Sequence, residues 1–142
     1  MITSRIILQA LLAAITLGST ARADAATRHF VGPVVVATSS CGVTASYQTV
    51  LSLTEKGASA VLRLRSGERA NLTKLERGAW RGVLLRRTVT GRQRIRILLR
   101  QSVGHSLTAL IRSEVFEAGL QVPVCRTTER AALVNAPAEY KF

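Results

Sequence analysis

Five short joins, Glu55-Lys56-Gly57, Ser66-Gly67-Glu68, Arg77-Gly78-Ala79, Thr90-Gly91-Arg92 and Val103-Gly104-His105, punctuate this chain at near-regular spacing, and each separates two runs of β-favouring residues. A glycine between two such runs marks a hairpin connection. Hairpins can link only antiparallel neighbours, because a parallel pair needs a crossover of about a dozen residues or more. The chain is thereby restricted to an antiparallel meander. The runs predict strands at residues 30–37, 46–54, 60–66, 70–76, 80–90, 94–102, 107–116 and 120–125, with a short ninth at 131–134. They share a pattern but no recurring sequence, so they are not tandem repeats.

Alternation within the runs tells which side of each strand is wet. Between Arg94 and Arg100, Ile95, Ile97 and Leu99 alternate with Arg94, Arg96, Leu98 and Arg100, the period-two pattern of a sheet with one buried face. Leu62 and Leu64 point opposite Arg63 and Arg65, while Tyr47, Thr49, Leu51 and Leu53 alternate with Gln48, Ser52 and Thr54. Val83, Leu84 and Leu85 are consecutive, which predicts a bulge or burial on both sides of that strand. Trp80, opening a strand after a glycine turn, is expected in the core or as a plug of the barrel.

The whole thiol inventory is Cys41 and Cys125, one near each end of the β-rich region. Two cysteines without matched histidines cannot complete a zinc site, and they are far from the two-apart spacing of a redox pair. A structural disulfide is the remaining role, with first and last elements side by side. An all-β fold with about eight short strands, hairpin joins and tied ends is expected to close into a small up-and-down barrel, since closure removes exposed edges. A flattened β-sandwich is the alternative. In strand count, turns and the closure from Cys41 to Cys125, the chain resembles small exported bacterial β-barrels with one disulfide, a group that includes lipocalin-like carriers and periplasmic lysozyme inhibitors. An inhibitor of a basic lysozyme would be acidic, whereas this chain carries a formal net charge of +12.

The N-terminus reads as an export signal. Arg5 supplies a positive start, residues 6–17 form an apolar run interrupted by Gln9 and Thr16, and Ala21-Arg22-Ala23 and Ala23-Asp24-Ala25 offer cleavage sites. The run is shorter than the roughly 20 residues that span a bilayer. Residues 1–23 are therefore expected to be a signal peptide and 24–142 a single domain, delivered to a bacterial periplasm or secreted. An oxidising destination agrees with the disulfide.

No catalytic constellation stands out. His29 and His105 are the only histidines, and the sole aspartate, Asp24, lies at the cleavage junction. Gly104-His105-Ser106-Leu107-Thr108 begins like a nucleophile elbow but ends on threonine where that motif needs glycine. Glu114 and Glu117, three apart near a strand end, are expected on different sides of a solvated edge. Phosphate-binding glycine signatures are absent, and Asn71-Leu72-Thr73 matches a glycosylation sequon that has no meaning in a bacterial chain. Neither a metal nor a cofactor is expected.

The excess positive charge is almost entirely arginine, with Lys56, Lys74 and Lys141 the only lysines. Codon bias in a GC-rich genome is one account of this skew. Recognition is the other, because guanidinium forks bind phosphate and carboxylate bidentately. Arg92, Arg94, Arg96 and Arg100 are expected on one strand face, with Arg63 and Arg65 outward on another strand and Arg86 or Arg87 between them. Such a cluster would be relieved by an anionic partner. The scarcity of aromatic residues argues against single-stranded nucleic acid, which needs stacking platforms. The expected role is a non-enzymatic exported binding or envelope-associated protein whose arginine face meets anionic polymer or lipid headgroups. The alternative is a lipocalin-like carrier with a small apolar ligand in the barrel interior.

Overall fold

A computed structural model describes residues 26–137. Eight strands follow in chain order: β1 (Ala26–Ser39), β2 (Tyr47–Lys56), β3 (Ser59–Leu64), β4 (Arg69–Glu76), β5 (Ala79–Arg87), β6 (Gly91–Gln101), β7 (Leu107–Glu117) and β8 (Cys125–Asn135). Each pairs antiparallel with the next, and β8 returns to pair with β1, which closes the sheet into a barrel and excludes the sandwich. The expected signal peptide and Asp24 lie outside the described residues.

The hairpin joins form for the reasons read from sequence. Gly57, Gly67, Gly78 and Gly104 all take positive φ, the left-handed conformation that glycine enters without steric cost. Gly91 differs. Its φ is not positive, but a Cβ built on it would lie 1.9 Å from the Phe116 carbonyl oxygen, so glycine is needed there for close approach of two backbones.

At the C-terminal end the strand assignment changes. The strand expected at 120–125 does not form over residues 120–124, and a single long β8 begins at Cys125 and absorbs the short ninth strand. Gly119 turns the chain at φ 81°, Pro123 has no N–H to offer a ladder, and Leu120, Val122 and Val124 leave their side chains exposed. The triplet Val83-Leu84-Leu85 also resolves differently from expectation. The β5–β6 register runs unbroken through it, and Val83 and Leu85 are 52% and 69% exposed, so there is neither a bulge nor burial on the outer side. Register shifts fall instead between Val36 and Thr38 and between Lys74 and Glu76.

The core lies inside the barrel. Phe30, Leu53, Leu62, Leu72, Trp80, Leu99, Leu107 and Leu133 are almost fully buried, and most of them, Trp80 included, gather toward one end. The opposite end holds the start of β2, the end of β5 and the start of β8. There Cys41 and Cys125 are bonded, with Cα atoms 5.1 Å apart. Ser40 N–H donates to the Arg126 carbonyl at 2.8 Å beside that bond, so the β1–β8 seam is held by both covalent and hydrogen bonds.

Candidate anion-binding face and barrel mouth

Alternation turns one set of side chains from β5, β6 and β7 outward, and the register aligns them in rows across the wall. Arg81 faces Leu98, which faces Leu110; Val83 faces Arg96, which faces Arg112; Leu85 faces Arg94, which faces Glu114. Directly opposed residues on neighbouring strands have Cβ atoms about 5 Å apart, so Arg96 and Arg112 form a like-charge cross-strand pair. With Arg81 and Arg100 they rim an open groove of about 720 Å³ on the outer wall. Its apolar lining includes Leu75, Val83, Leu98 and Leu110.

Carboxylates neutralise this face only in part. Glu114, whose side chain is 13% exposed, accepts from Arg94 at 2.9 Å and from Arg126 at 3.3 Å, and Arg96 stands 3.7 Å away. Burial pushes the Glu114 carboxyl up, but the hydrogen bonds from Arg94 and Arg126 and the charges of Arg94 and Arg96 together hold it below its ordinary value. It is therefore the electrostatic hub of the wall, not a residue on a solvated edge as the sequence suggested. Arg100 pairs with Glu76 at 3.0 Å. Among the described residues, Arg81 and Arg112 have no ion pair. Phe116 lies on the same outer side and is buried, with the Arg92 and Arg94 guanidinium carbons 4.7 Å and 5.2 Å from its ring centre. Those two arginines are thus partly engaged as a cover over the ring.

The expected cluster is brought together only in part. Arg92, Arg94, Arg96 and Arg100 share the outer side of β6, as the alternation indicated. Arg63 is on β3, separated from β6 by β4 and β5, and Arg65 sits in the β3–β4 turn, so neither joins them. Arg87 faces Arg92 at the edge of the same wall, whereas Arg86 turns to the barrel mouth. Sequence reasoning missed Arg81, Arg112 and the leucines between them. The parity of Ala109 and Ile111 could have placed Arg112 outward, but nothing in the sequence sets it opposite Arg96.

At the mouth a second constellation forms. Arg86 binds Glu68 through two hydrogen bonds, Nη2 to Oε1 at 2.6 Å and Nε to Oε2 at 3.0 Å, and donates from Nη1 to Gln93 at 3.2 Å. The Arg86 hydrogen bonds hold the Glu68 carboxyl below its ordinary value, and Glu68 raises the Arg86 guanidinium in turn. Tyr47 donates to Glu129 at 2.8 Å, bridging β2 and β8 across β1. Burial and that acceptor push its phenol up to about 12. Beneath these groups is a cavity of about 270 Å³ walled by residues such as Leu51, Leu62, Ile95, Ile97, Ala109 and Ala131. The small alanines at 109 and 131, neighbours in the β7–β8 register, leave this space open.

Among the described residues no group of three or more His, Cys, Asp or Glu is placed to hold a metal ion, and no helix is long and apolar enough to cross a membrane. Comparison with protein-family models, with curated proteins and with solved structures finds no match to this chain.

Proposed function

We propose that the protein is an exported, non-enzymatic binding protein of the bacterial envelope, which holds an anionic partner on the outer wall of β5, β6 and β7. The observation that carries this reading is the direct cross-strand opposition of Arg96 and Arg112 at a groove that Arg81 and Arg100 also rim. Like charges directly opposite destabilise a sheet, and one bridging phosphate or carboxylate would reverse the sign of that contact. The leading residues are accordingly Arg81, Arg96, Arg100 and Arg112, with Arg92 and Arg94 in support and Arg63 and Arg65 set aside.

The test compares two charge-matched variants on a dextran sulfate column. Replacing Arg81, Arg96 and Arg112 together by glutamine should lower the eluting salt concentration more than replacing Lys56, Arg65 and Arg69, which lie away from the groove. Equal shifts would mean that net charge alone acts and that no site exists.

The mouth supports a second reading, a carrier of a small molecule. Its cavity is slightly below the roughly 300 to 1,000 Å³ of common ligand sites, so a compact apolar ligand is the class it suits. Arg86 and Glu129 already have partners there, so an uncharged ligand is favoured over an ionic one. If Ala109→Leu, which fills the space, leaves binding of an apolar fluorescent dye unchanged, the interior is not a site.

A further inference from the structure

The arginine groove and the wall beside it carry more apolar surface than recognition of a hydrophilic polymer requires. Val83 and Leu85 project outward from β5 and Leu75 from β4, all substantially exposed, while Leu98 and Leu110 lie half-buried in the same row as Arg81, directly beside the Arg96–Arg112 row. A polysaccharide or polyphosphate chain would pair with the arginines and leave these side chains in water. A lipid surface supplies both chemistries at one depth, with phosphates at headgroup level and acyl chains just beneath. Arginine suits that boundary, because its aliphatic stem lies along apolar surface while its head reaches the phosphates.

We infer that this face seats on the surface of a bilayer bearing anionic phosphate headgroups, with Arg96 and Arg112 sharing a phosphate and Val83 and Leu85 entering the edge of the acyl region. The inference rests on the proposed anion-binding role of the wall and narrows its partner to a lipid surface. Seating, rather than spanning, follows from the distribution of side chains. A spanning barrel turns an apolar band outward and polar groups inward, while this one buries leucines inside and carries Arg96 and Arg112 outward in mid-strand. Charge complementarity and the shallow apolar rows together match the interfacial mode of amphipathic elements, here built on a sheet instead of a helix.

The experiment measures partitioning of the purified, disulfide-bonded protein onto vesicles of phosphatidylcholine with and without phosphatidylglycerol, beside retention on dextran sulfate. Binding is expected only when phosphatidylglycerol is present. Arg96→Gln with Arg112→Gln should weaken it roughly thirtyfold, from two basic side chains lost at the surface. Val83→Ser with Leu85→Ser should weaken vesicle binding about tenfold while leaving dextran sulfate retention unchanged. A Leu85→Trp reporter, read against the buried Trp80, should shift to the blue on anionic vesicles and be quenched by brominated acyl chains. Retention on dextran sulfate without vesicle binding would overturn the lipid assignment and leave the anionic face standing. Vesicle binding indifferent to the Val83 and Leu85 changes, with no reporter shift, would reduce it to charge adsorption and overturn it too. If neither surface retains the protein, the reading of the wall itself fails.

Discussion

Removing the bond between Cys41 and Cys125 by changing both to serine gives the sharpest test of how this barrel is held. The cysteines are 84 residues apart in sequence, and the chain-entropy relation for a loop of that length gives about 4.6 kcal/mol at 25 °C. The native side of the balance should change little. The seam beside the bond keeps the Ser40 N–H to Arg126 carbonyl contact at 2.8 Å, the Ser39 and Thr127 hydroxyls at 2.9 Å, and the Arg126 N–H to Ser40 Oγ bond at 2.8 Å. Both cysteines are only partly buried, so serine hydroxyls there can remain hydrated. The loss should therefore enter through the unfolded chain, and we expect urea unfolding to report a drop of about 3 to 5 kcal/mol with far-ultraviolet circular dichroism unchanged before the transition. The slope against urea should rise, because the freed unfolded chain exposes more surface. For a domain of this size the midpoint temperature should fall by about 12 to 20 °C. A loss below about 1 kcal/mol with an unchanged slope would refute the entropic argument. Loss of strand content in native buffer would show instead that the bond supports the folded seam directly.

Three further outcomes follow from single residues. Gly91→Ala should destabilise by about 1 to 3 kcal/mol, because a Cβ would meet backbone atoms of Phe116 and Glu117 that cannot move aside, and asparagine should not rescue it. At Gly57, where φ is +62° and the surrounding space is open, asparagine should be tolerated; equal losses in urea titrations would refute the distinction. The Glu114 carboxyl is held below its ordinary value in the folded state, so its contribution is fully present above its unfolded pKa and is lost as pH falls through the depressed folded value. Glu114→Gln should therefore cost about 1 to 2 kcal/mol at pH 7 and almost nothing once acid has protonated the wild-type carboxyl, as urea unfolding across the acid range would show. A difference that persists in strong acid would mean packing, not charge, makes Glu114 matter.

Local chemistry made much of this fold legible. Alternation of Ile95, Ile97 and Leu99 with Leu98 and the arginines marked the inner side of β6, the positive-φ glycines marked the hairpins, and the two cysteines announced that first and last strands meet. What the sequence concealed depends on position in the barrel. The start of β8, Arg126 to Arg130, is polar on both faces because its inward residues find polar partners near the mouth, the Ser39 hydroxyl for Thr127 and the Tyr47 phenol for Glu129. Leu120, Val122 and Val124 mimic a strand's alternation but belong to a loop interrupted by proline. The candidate site was half visible for the same reason. Parity assigns Arg94, Arg96 and Arg100 to one side of one strand, but only inter-strand register places Arg112 beside Arg96 and carries Arg63 away, and register is a property of pairs that no single segment displays.

The pairing order has a consequence for how the chain reaches its folded form. Seven of the eight strand interfaces join neighbours in sequence, and only β1 with β8 joins distant ones. Hairpins can accumulate locally and early, whereas ring closure requires most of the chain to be in place first, which makes it the slow, entropically demanding event. Until then the meander has two live borders, the open flanks of β1 and β8, each able to recruit a strand from another molecule. A chain synthesised in one compartment and oxidised in another would meet this hazard on arrival. Thiol oxidation across the seam then acts as a latch, converting a reversible encounter of the two borders into a permanent rim.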